Sequence, residues 1–417
     1  MTQLSDDCFA FGGDLMRTEE ALGLLEDRLV PVVDNEDVPL RAAAGRVLAA
    51  DFCAARAVPP HDNAAVDGYA VFFDDLAKEG DTRLPVTGRI AAGHPLERDA
   101  RQGEALRIFT GAPMPDGPDT VLMQEDCTTE AEHVIIPPGI RRGANRRHAG
   151  EDIEKGGIIL RAGQRLRPQD IGLAASVGCA ALTVYRRLRV AVFSTGDEVR
   201  EVGEDLPPGC IYDSNRYAVS ALLESLGCEV GDLGILPDRY EAIRDALADA
   251  AGNFDLIVTS AGVSTGEEDH VRGAVEALGA IHFWRLAIRP GRPLALGQVA
   301  GTPFIGLPGN PVAVMVTFMR FARPAILLLM GATDIAPNVF RVRAAFGYTK
   351  KRTRREWLRA SLFTDSDGVL AARRFPREGA GILTSMVESD GLIELSEELT
   401  QLDPGTMVDF LPFSEVS

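Results

Sequence analysis

Leu307-Pro308-Gly309-Asn310-Pro311 joins the apolar run Pro303-Phe304-Ile305-Gly306-Leu307 to a longer apolar run that ends near Met330. The first run reads as a short buried strand and the second as a buried helix. Asn310 falls at the N-cap position and Pro311 at the first helical residue, where a missing N–H is tolerated. A helix entered this way turns unpaired N–H groups and its positive dipole end toward whatever lies above the strand. An isolated Asn-Pro is more often an ordinary strand-to-helix cap. Two comparable loops elsewhere favour an anion site.

Outward from this stretch, strands and helices alternate between 188 and 330. Strand-like runs occupy 190–193, 229–236, 256–259, 281–288 and 303–307, with helical runs at 215–226, 239–251 and 267–278. Gly227, Gly252 and Gly279 close these helices as expected C′ residues. The pattern predicts a parallel sheet covered by helices, with a ligand above the carboxyl ends of the strands.

The flanks differ. Residues 1–50 read as helical at 18–29 and 39–50, the second being rich in Ala. Short β runs such as Tyr69-Ala70-Val71-Phe72-Phe73 fill 51–149, and 150–187 returns to mixed character that can rejoin the first helices. Residues 331–417 alternate again, with Asp367-Gly368 as a hairpin turn, and predict a small barrel or sandwich.

Composition narrows the function. A net charge of −18 argues against nucleic acid, so an anionic ligand must meet local clusters of Arg. Six scattered Cys show no paired spacing, which favours a reducing cytoplasm over a disulfide framework or structural zinc. The N-terminus lacks the pattern of a signal peptide, and the apolar run near 318–329 is interrupted by Arg320, Arg323 and Pro324, so no membrane span is expected. Neither a P-loop nor G-x-G-x-x-G occurs.

Three loops follow strand ends: Ser194-Thr195-Gly196-Asp197-Glu198, the stretch from Ser260 through Gly262 and Ser264 to Asp269, and Leu307 to Pro311. Gly admits phosphate oxygens to the backbone, hydroxyls donate to them, and carboxylates supply hard oxygens for Mg²⁺. Asp197, Glu198 and Asp269 are the candidate metal ligands. The basic counterpart is Trp284-Arg285-Leu286-Ala287-Ile288-Arg289-Pro290-Gly291-Arg292-Pro293. As a strand it puts Arg285, Ala287 and Arg289 on one face and Trp284, Leu286 and Ile288 on the other, with Arg292 in a Pro-Gly turn. A solvated edge strand is the alternative. Asn145 to Asp152 reads equally as a ligand loop or a solvated linker, and Asp238 with Glu241 as a capping box.

These segments, with Asn63 to Ala70, Arg107 to Ala112, Gly150 to Ile153 and Ile211 to Asn215, occur in the order found in molybdopterin molybdenumtransferases. The chain resembles that family, which includes the C-terminal part of gephyrin, over essentially its whole length. The resemblance implies an elongated helical domain from 1–50 and 150–187, an inserted β domain at 51–149, an α/β molybdopterin-binding domain at 188–330 and a C-terminal β-barrel at 331–417. It implies a homodimer with the site between subunits. It further implies that adenylylated molybdopterin and molybdate react with Mg²⁺ to give molybdenum cofactor and AMP. The functional positions it implies are Asp67, Thr110, Arg147, Asp152, Glu198, Asp238, Asp269, Arg285, Arg289, Arg292, Pro308, Pro311 and Arg359. Gly309 and Asn310 belong to the same backbone cradle.

Several residues depart from the family pattern. Its Lys residues in the Trp284–Pro293 stretch are Arg here, and a family Gly is Ala261, predicting negative φ. Hydroxyls are missing at Ala64, Ala313 and Ala380, the last two where oxyanion contacts are expected. A molybdopterin adenylyltransferase, a tungstate-preferring paralogue and a non-catalytic scaffold are the alternative readings.

Overall fold

The computed structural model describes residues 15–261 and 270–416. The candidates Gly262, Ser264 and Asp269 lie outside the described residues, as does the N-terminal segment 1–14. Six strands make the central sheet, in the order Glu229–Leu236, Arg189–Thr195, Leu256–Ser260, Thr302–Leu307, Pro293–Val299 and Gly279–Arg285. The first four run parallel, and the last two are antiparallel to their neighbours. The sheet is therefore mixed, not wholly parallel as predicted. Only Ala300 and Gly301 separate two of its strands, both with positive φ (48° and 92°), and so short a connection joins antiparallel strands alone.

Helices Tyr240–Asn253 and His270–Leu278 cover one face, burying Ile243, Leu247, Val271 and Val275 against Phe193, Ile257 and Phe304. The other face, through Val192, Val258 and Ile305, meets helix Asn215–Ser225 and the helix that begins at Pro311. That core continues into helix Thr18–Arg28 through Ala21 and Leu25, and into the C-terminal region through Trp357, Leu392 and Leu411. Pro311–Leu329 has the length and composition to cross a bilayer, but 83% of its apolar window is buried, so it is a core helix. A π-helical segment, Phe318–Ala322, precedes Pro324, whose missing N–H would otherwise interrupt the ladder.

The expected helix at 39–50 does not form. Asn35–Pro39 is a strand paired with Ala181–Tyr185, and Leu40–Ala42 makes one 3₁₀ turn. Gly45 adopts φ +77°, and Val47 and Leu48 bridge to Arg165 and Val184, so tertiary pairing overrides the helical propensity of the alanines. Of the three expected C′ glycines only Gly227 has positive φ, at +91°. Gly252 is inside its helix, and Gly279 opens a strand where a Cβ would lie 2.1 Å from the Gln298 carbonyl.

The β-rich stretch builds a six-stranded sheet that includes Gly68–Val71, Ala105–Ile108 and His133–Ile136. Gly68 is required there, since a Cβ would fall 1.6 Å from the Leu122 carbonyl oxygen. On its far side Ile158–Leu160 pairs back with Phe52–Cys53, so the flanking segments meet. In the C-terminal region the strands Arg355–Thr364, Leu370–Arg374, Phe340–Ala344, Met407–Pro412 and Gly391–Leu395 close on themselves as a barrel. Gly368, at φ +77°, turns the predicted hairpin.

Candidate functional site

The parallel strands end side by side at Leu236, Thr195, Ser260 and Leu307. The antiparallel pair places Arg285 opposite Pro293, and Ala295 opposite Gly306, so Arg285 and Arg292 reach the same rim. Arg285 ends its strand; the chain then crosses to the barrel, where Ile288–Arg289 pairs with Arg355–Glu356. The single strand expected over this stretch is thus two short ones. Trp284, Leu286 and Ile288 are buried and Arg285 and Arg289 exposed, as the alternation predicted. Ala287 is buried as well, because it lies in the crossover.

A cavity of about 300 Å³ opens at this rim, and all three loops line it. Ser194, Thr195 and Glu198 come from the first, Ser260 and Ala261 from the second, Gly309, Asn310 and Pro311 from the third. Asn215 Nδ2 donates to the Gly309 carbonyl at 2.8 Å, tying helix Asn215–Ser225 to the third loop. Gly196 takes φ +138° with the Glu198 carboxylate folded over it; a Cβ there would lie 2.7 Å from Oε2. Pro308 is buried beneath exposed Gly309 and Asn310. Asn310 occupies the N-cap position, but its side chain makes no capping hydrogen bond. Of the helix donors, Val312 N–H is already given to the Ala380 carbonyl at 2.9 Å.

Two readings are corrected here. Ala261 adopts φ +70°, not negative φ: its N–H completes the parallel ladder to the Leu307 carbonyl at 3.1 Å, and the chain leaves the strand in a left-handed turn at this residue, where an Ala costs about 1–2 kcal/mol. Asp238 forms no capping box: the N-cap is Arg239, without a side-chain cap. Asp238 Oδ1 instead accepts the Thr195 hydroxyl at 3.3 Å, which brings it to the rim.

A second, smaller cavity of about 150 Å³ lies between the barrel and the crossover, lined by Arg289, Gly291, Tyr348, Glu356, Arg359, Glu378 and Ala380 among others. Arg359 is nearly buried, donating Nε to Ser385 Oγ at 3.0 Å and Nη2 to the Gly379 carbonyl at 3.3 Å. Burial holds its pKa below the usual guanidinium range. Arg289 donates to Glu378 Oε2 at 2.7 Å and to the Tyr348 hydroxyl at 3.3 Å. Burial works against its charge, but Glu378 and the other nearby acids outweigh it and raise its pKa. Tyr348 is pushed up to about 12 by burial and by the hydrogen bond it donates to Glu356. Ala313 is buried beneath Gly291, where a Cβ on the glycine would touch both Ala313 and Thr317.

The remaining candidates form a group in the β-rich region. Thr110 donates its N–H at 2.8 Å and its hydroxyl at 2.7 Å to one oxygen of Asp67, which lowers the Asp67 pKa. Arg147 lies exposed opposite Asn63, and Asp152 is exposed, its N–H donating to the Val58 carbonyl. These hydrogen bonds all stay within the β-rich region and its edge.

Residues 16–178 match the family description "MoeA N-terminal region (domain I and II)", 191–327 "Probable molybdopterin binding domain", and 341–413 "MoeA C-terminal region (domain IV)". The molybdopterin molybdenumtransferase of Haemophilus influenzae is 36% identical over 404 residues, covering 96% of this chain and 100% of that protein. The chain belongs to the molybdopterin molybdenumtransferase family.

The molybdopterin molybdenumtransferase of a Nostoc species is 40% identical over 328 residues, 76% of this chain and 75% of that one. The crystal structure of the molybdopterin biosynthesis moeA protein of Pyrococcus horikoshii superposes with a TM-score of 0.82 at 28% identity, covering 96% and 100% of the two chains. Against this family's pattern, Ala64 is wholly buried among Ala70, Ile90 and Leu106, and faces core. Ala380 contributes its carbonyl, not a side-chain donor, to the second cavity's edge. Sequence reasoning missed Glu378, Tyr348 and Glu356, which belong to that cavity, and Arg216, whose guanidinium secures Asp213 beside the first. No periodicity marks the Glu378 loop; Arg216 follows the Tyr-Asp-Ser-Asn stretch directly and was legible from it.

Proposed function

We propose that this chain inserts molybdenum into molybdopterin, consuming adenylylated molybdopterin and molybdate and releasing AMP. The observation that carries this reading is the pairing of two cavities through one hydrogen bond, Val312 N–H to Ala380 carbonyl. The first offers Gly, hydroxyl and backbone donors suited to a pterin phosphate. The second offers Arg289 and Arg359, whose planar guanidiniums suit an oxyanion. Arg285 and Arg292 supply further charge at the rim, so the site acts by positioning and neutralisation and requires no protein nucleophile.

Asp197 and Glu198 are exposed hard-oxygen donors on the first loop, fitting Mg²⁺ rather than a softer metal, and with Asp269 they would hold it. Among the described residues no group of three metal-ligating side chains occurs, so the remaining positions around the ion would be filled by Asp269, substrate phosphate or water. Bound there, Mg²⁺ would neutralise phosphate charge during anhydride cleavage. The division into 1–50 with 150–187, 51–149, 188–330 and 331–417 belongs to the same reading. So does a cytoplasmic homodimer in which Asp67, Thr110, Arg147 and Asp152 of one subunit face the rim of the other. The adenylyltransferase that supplies the substrate and maturation proteins that accept the cofactor are the proposed partners; nucleic acid and membrane are not.

The test is AMP release from adenylylated molybdopterin, with molybdate and tungstate supplied in turn. Release that depends on molybdate supports the proposal, and a tungstate preference selects the paralogue. Rapid adenylylation of molybdopterin from ATP would select the adenylyltransferase instead, and inertness in both assays the scaffold.

A further inference from the structure

We propose that Glu378 is a displaceable internal occupant of Arg289, so that an oxyanion enters the second cavity only by moving this carboxylate onto Arg374. The inference rests on the oxyanion reading of that cavity given above. Arg289 donates to one Glu378 oxygen at 2.7 Å and Arg374 Nη1 to the other at 2.6 Å, so a single carboxylate bridges two guanidiniums. A guanidinium presents the same donor fork to a carboxylate as to a tetrahedral oxyanion. Glu378 therefore holds the position an incoming anion needs.

Charge counting points the same way. Within the cavity Arg289 and Arg359 stand against Glu356 and Glu378, which leaves no net positive charge for an oxyanion. Glu356 is fixed: it is buried, accepts the Tyr348 hydroxyl at 2.8 Å and sits 3.5 Å from Arg289. Glu378 is free to leave, with its side chain 45% exposed. With it turned outward onto Arg374, the cavity is left with one net positive charge, which favours an entering anion.

The loop that carries Glu378 is pinned at both ends while its middle turns. Phe375 N–H donates to the Arg359 carbonyl at 2.8 Å, and the Ala380 carbonyl holds Val312. Between them Gly379 takes φ +145°. A rotamer change of Glu378 thus suffices, without moving the loop, and Arg374 keeps the released carboxylate paired. Affinity for any oxyanion is lowered by the fraction of molecules in which Glu378 occupies Arg289. A singly charged anion gains less from the same guanidiniums, so the device favours dianions.

Calorimetric titration of the full-length protein with molybdate, and separately tungstate, tests this without turnover. Glu378→Gln and Glu378→Ala should each tighten binding of both oxyanions by roughly tenfold, since removing the internal competitor frees Arg289. Melting curves establish that each variant is folded, and the Ala variant stands in should the Gln variant fail. Unchanged or weaker binding in a folded variant overturns the proposal. Arg289→Ala serves as the reference: binding equal to wild type there would defeat the oxyanion reading of the cavity itself. Weakened binding in Arg289→Ala beside an unaltered Glu378→Gln would defeat only the displacement.

Discussion

Arg216 Nε donates to Asp213 Oδ2 at 3.0 Å, and both side chains are almost wholly buried, 3% and 2% exposed. The same guanidinium pairs with Glu201 and Asp232, so it ties the stretch that lines the first cavity to helix Asn215–Ser225 and to the edge strand. Removing it leaves Asp213 buried without an ionic partner, held only by the residue 216 backbone N–H at 3.1 Å, a change that costs about 3 kcal/mol. Arg216→Ala is accordingly expected to lower the unfolding free energy measured in urea by that amount, with the midpoint falling at unchanged m-value. Arg216→Lys should regain only part, since Lys cannot serve three carboxylates from one plane. A loss below about 1 kcal/mol for Arg216→Ala would show that the network is merely superficial.

Subunit mixing tests whether the site is shared between two chains, as proposed. Asp67→Asn and Arg289→Ala should each reduce AMP release by about a hundredfold as pure homodimers. When the two variants are mixed and reassociated, half the dimers pair one of each, and each such dimer holds one intact site if Asp67 serves its partner's rim. Recovery to about a quarter of wild-type activity is expected. No recovery would place the whole site within one chain.

Glu104 makes the β-rich region acid-sensitive. Its carboxylate accepts Arg98 at 2.8 and 2.9 Å, Thr87, and the Arg101 N–H at 2.8 Å. Arg98 is the largest influence, and the pKa falls to about 2. A depressed folded-state pKa stabilises the protein fully above the unfolded value of roughly 4.3 and less as pH falls toward 2. The contribution at neutral pH is on the order of 2 kcal/mol once the partial exposure of Arg98 is allowed for. Glu104→Gln should therefore melt lower than wild type at neutral pH, with the gap shrinking between about pH 4.5 and pH 2. A gap independent of pH in that window would contradict the assignment.

Ala261→Gly should stabilise the protein by about 0.5 kcal/mol. Relief of the left-handed Ala, at φ +70°, exceeds the entropy that Gly adds to the unfolded chain. The denaturation midpoint should rise with an unchanged m-value; a fall would mean that the Cβ, which packs beside Gly309, contributes more than its strain removes.

The rim was legible because strong apolar runs end in loops of Gly, hydroxyl and carboxylate, a contrast that survives without coordinates. Arg285 and Arg289 were placed on the exposed side by simple alternation against Trp284, Leu286 and Ile288. What failed had weak local signals. Ala300-Gly301 lacks the usual Asn-Gly mark of a two-residue hairpin, and the strand at Pro293–Val299 was hidden with it. Ala42 to Ala50 advertises helix, yet Gly45 and the bridge from Leu48 to Val184 decide otherwise. Ala261 was misjudged because its left-handed φ belongs to the turn by which the chain leaves the strand after Ser260, and an Ala does not advertise such a turn. Glu378 meets Arg289 across 89 residues of chain, so only the fold brings them together.

The crossover from Arg285 to Arg289 spans four peptide units, at most about 14 Å, and its three intervening residues are buried. It behaves as a ruler cut into the protein. Each pocket can be remodelled by its own side chains, but the backbone interval between Arg285 and Arg289 cannot lengthen, so a cargo whose two charged ends lie farther apart than that interval and two arginine side chains can span will not engage both.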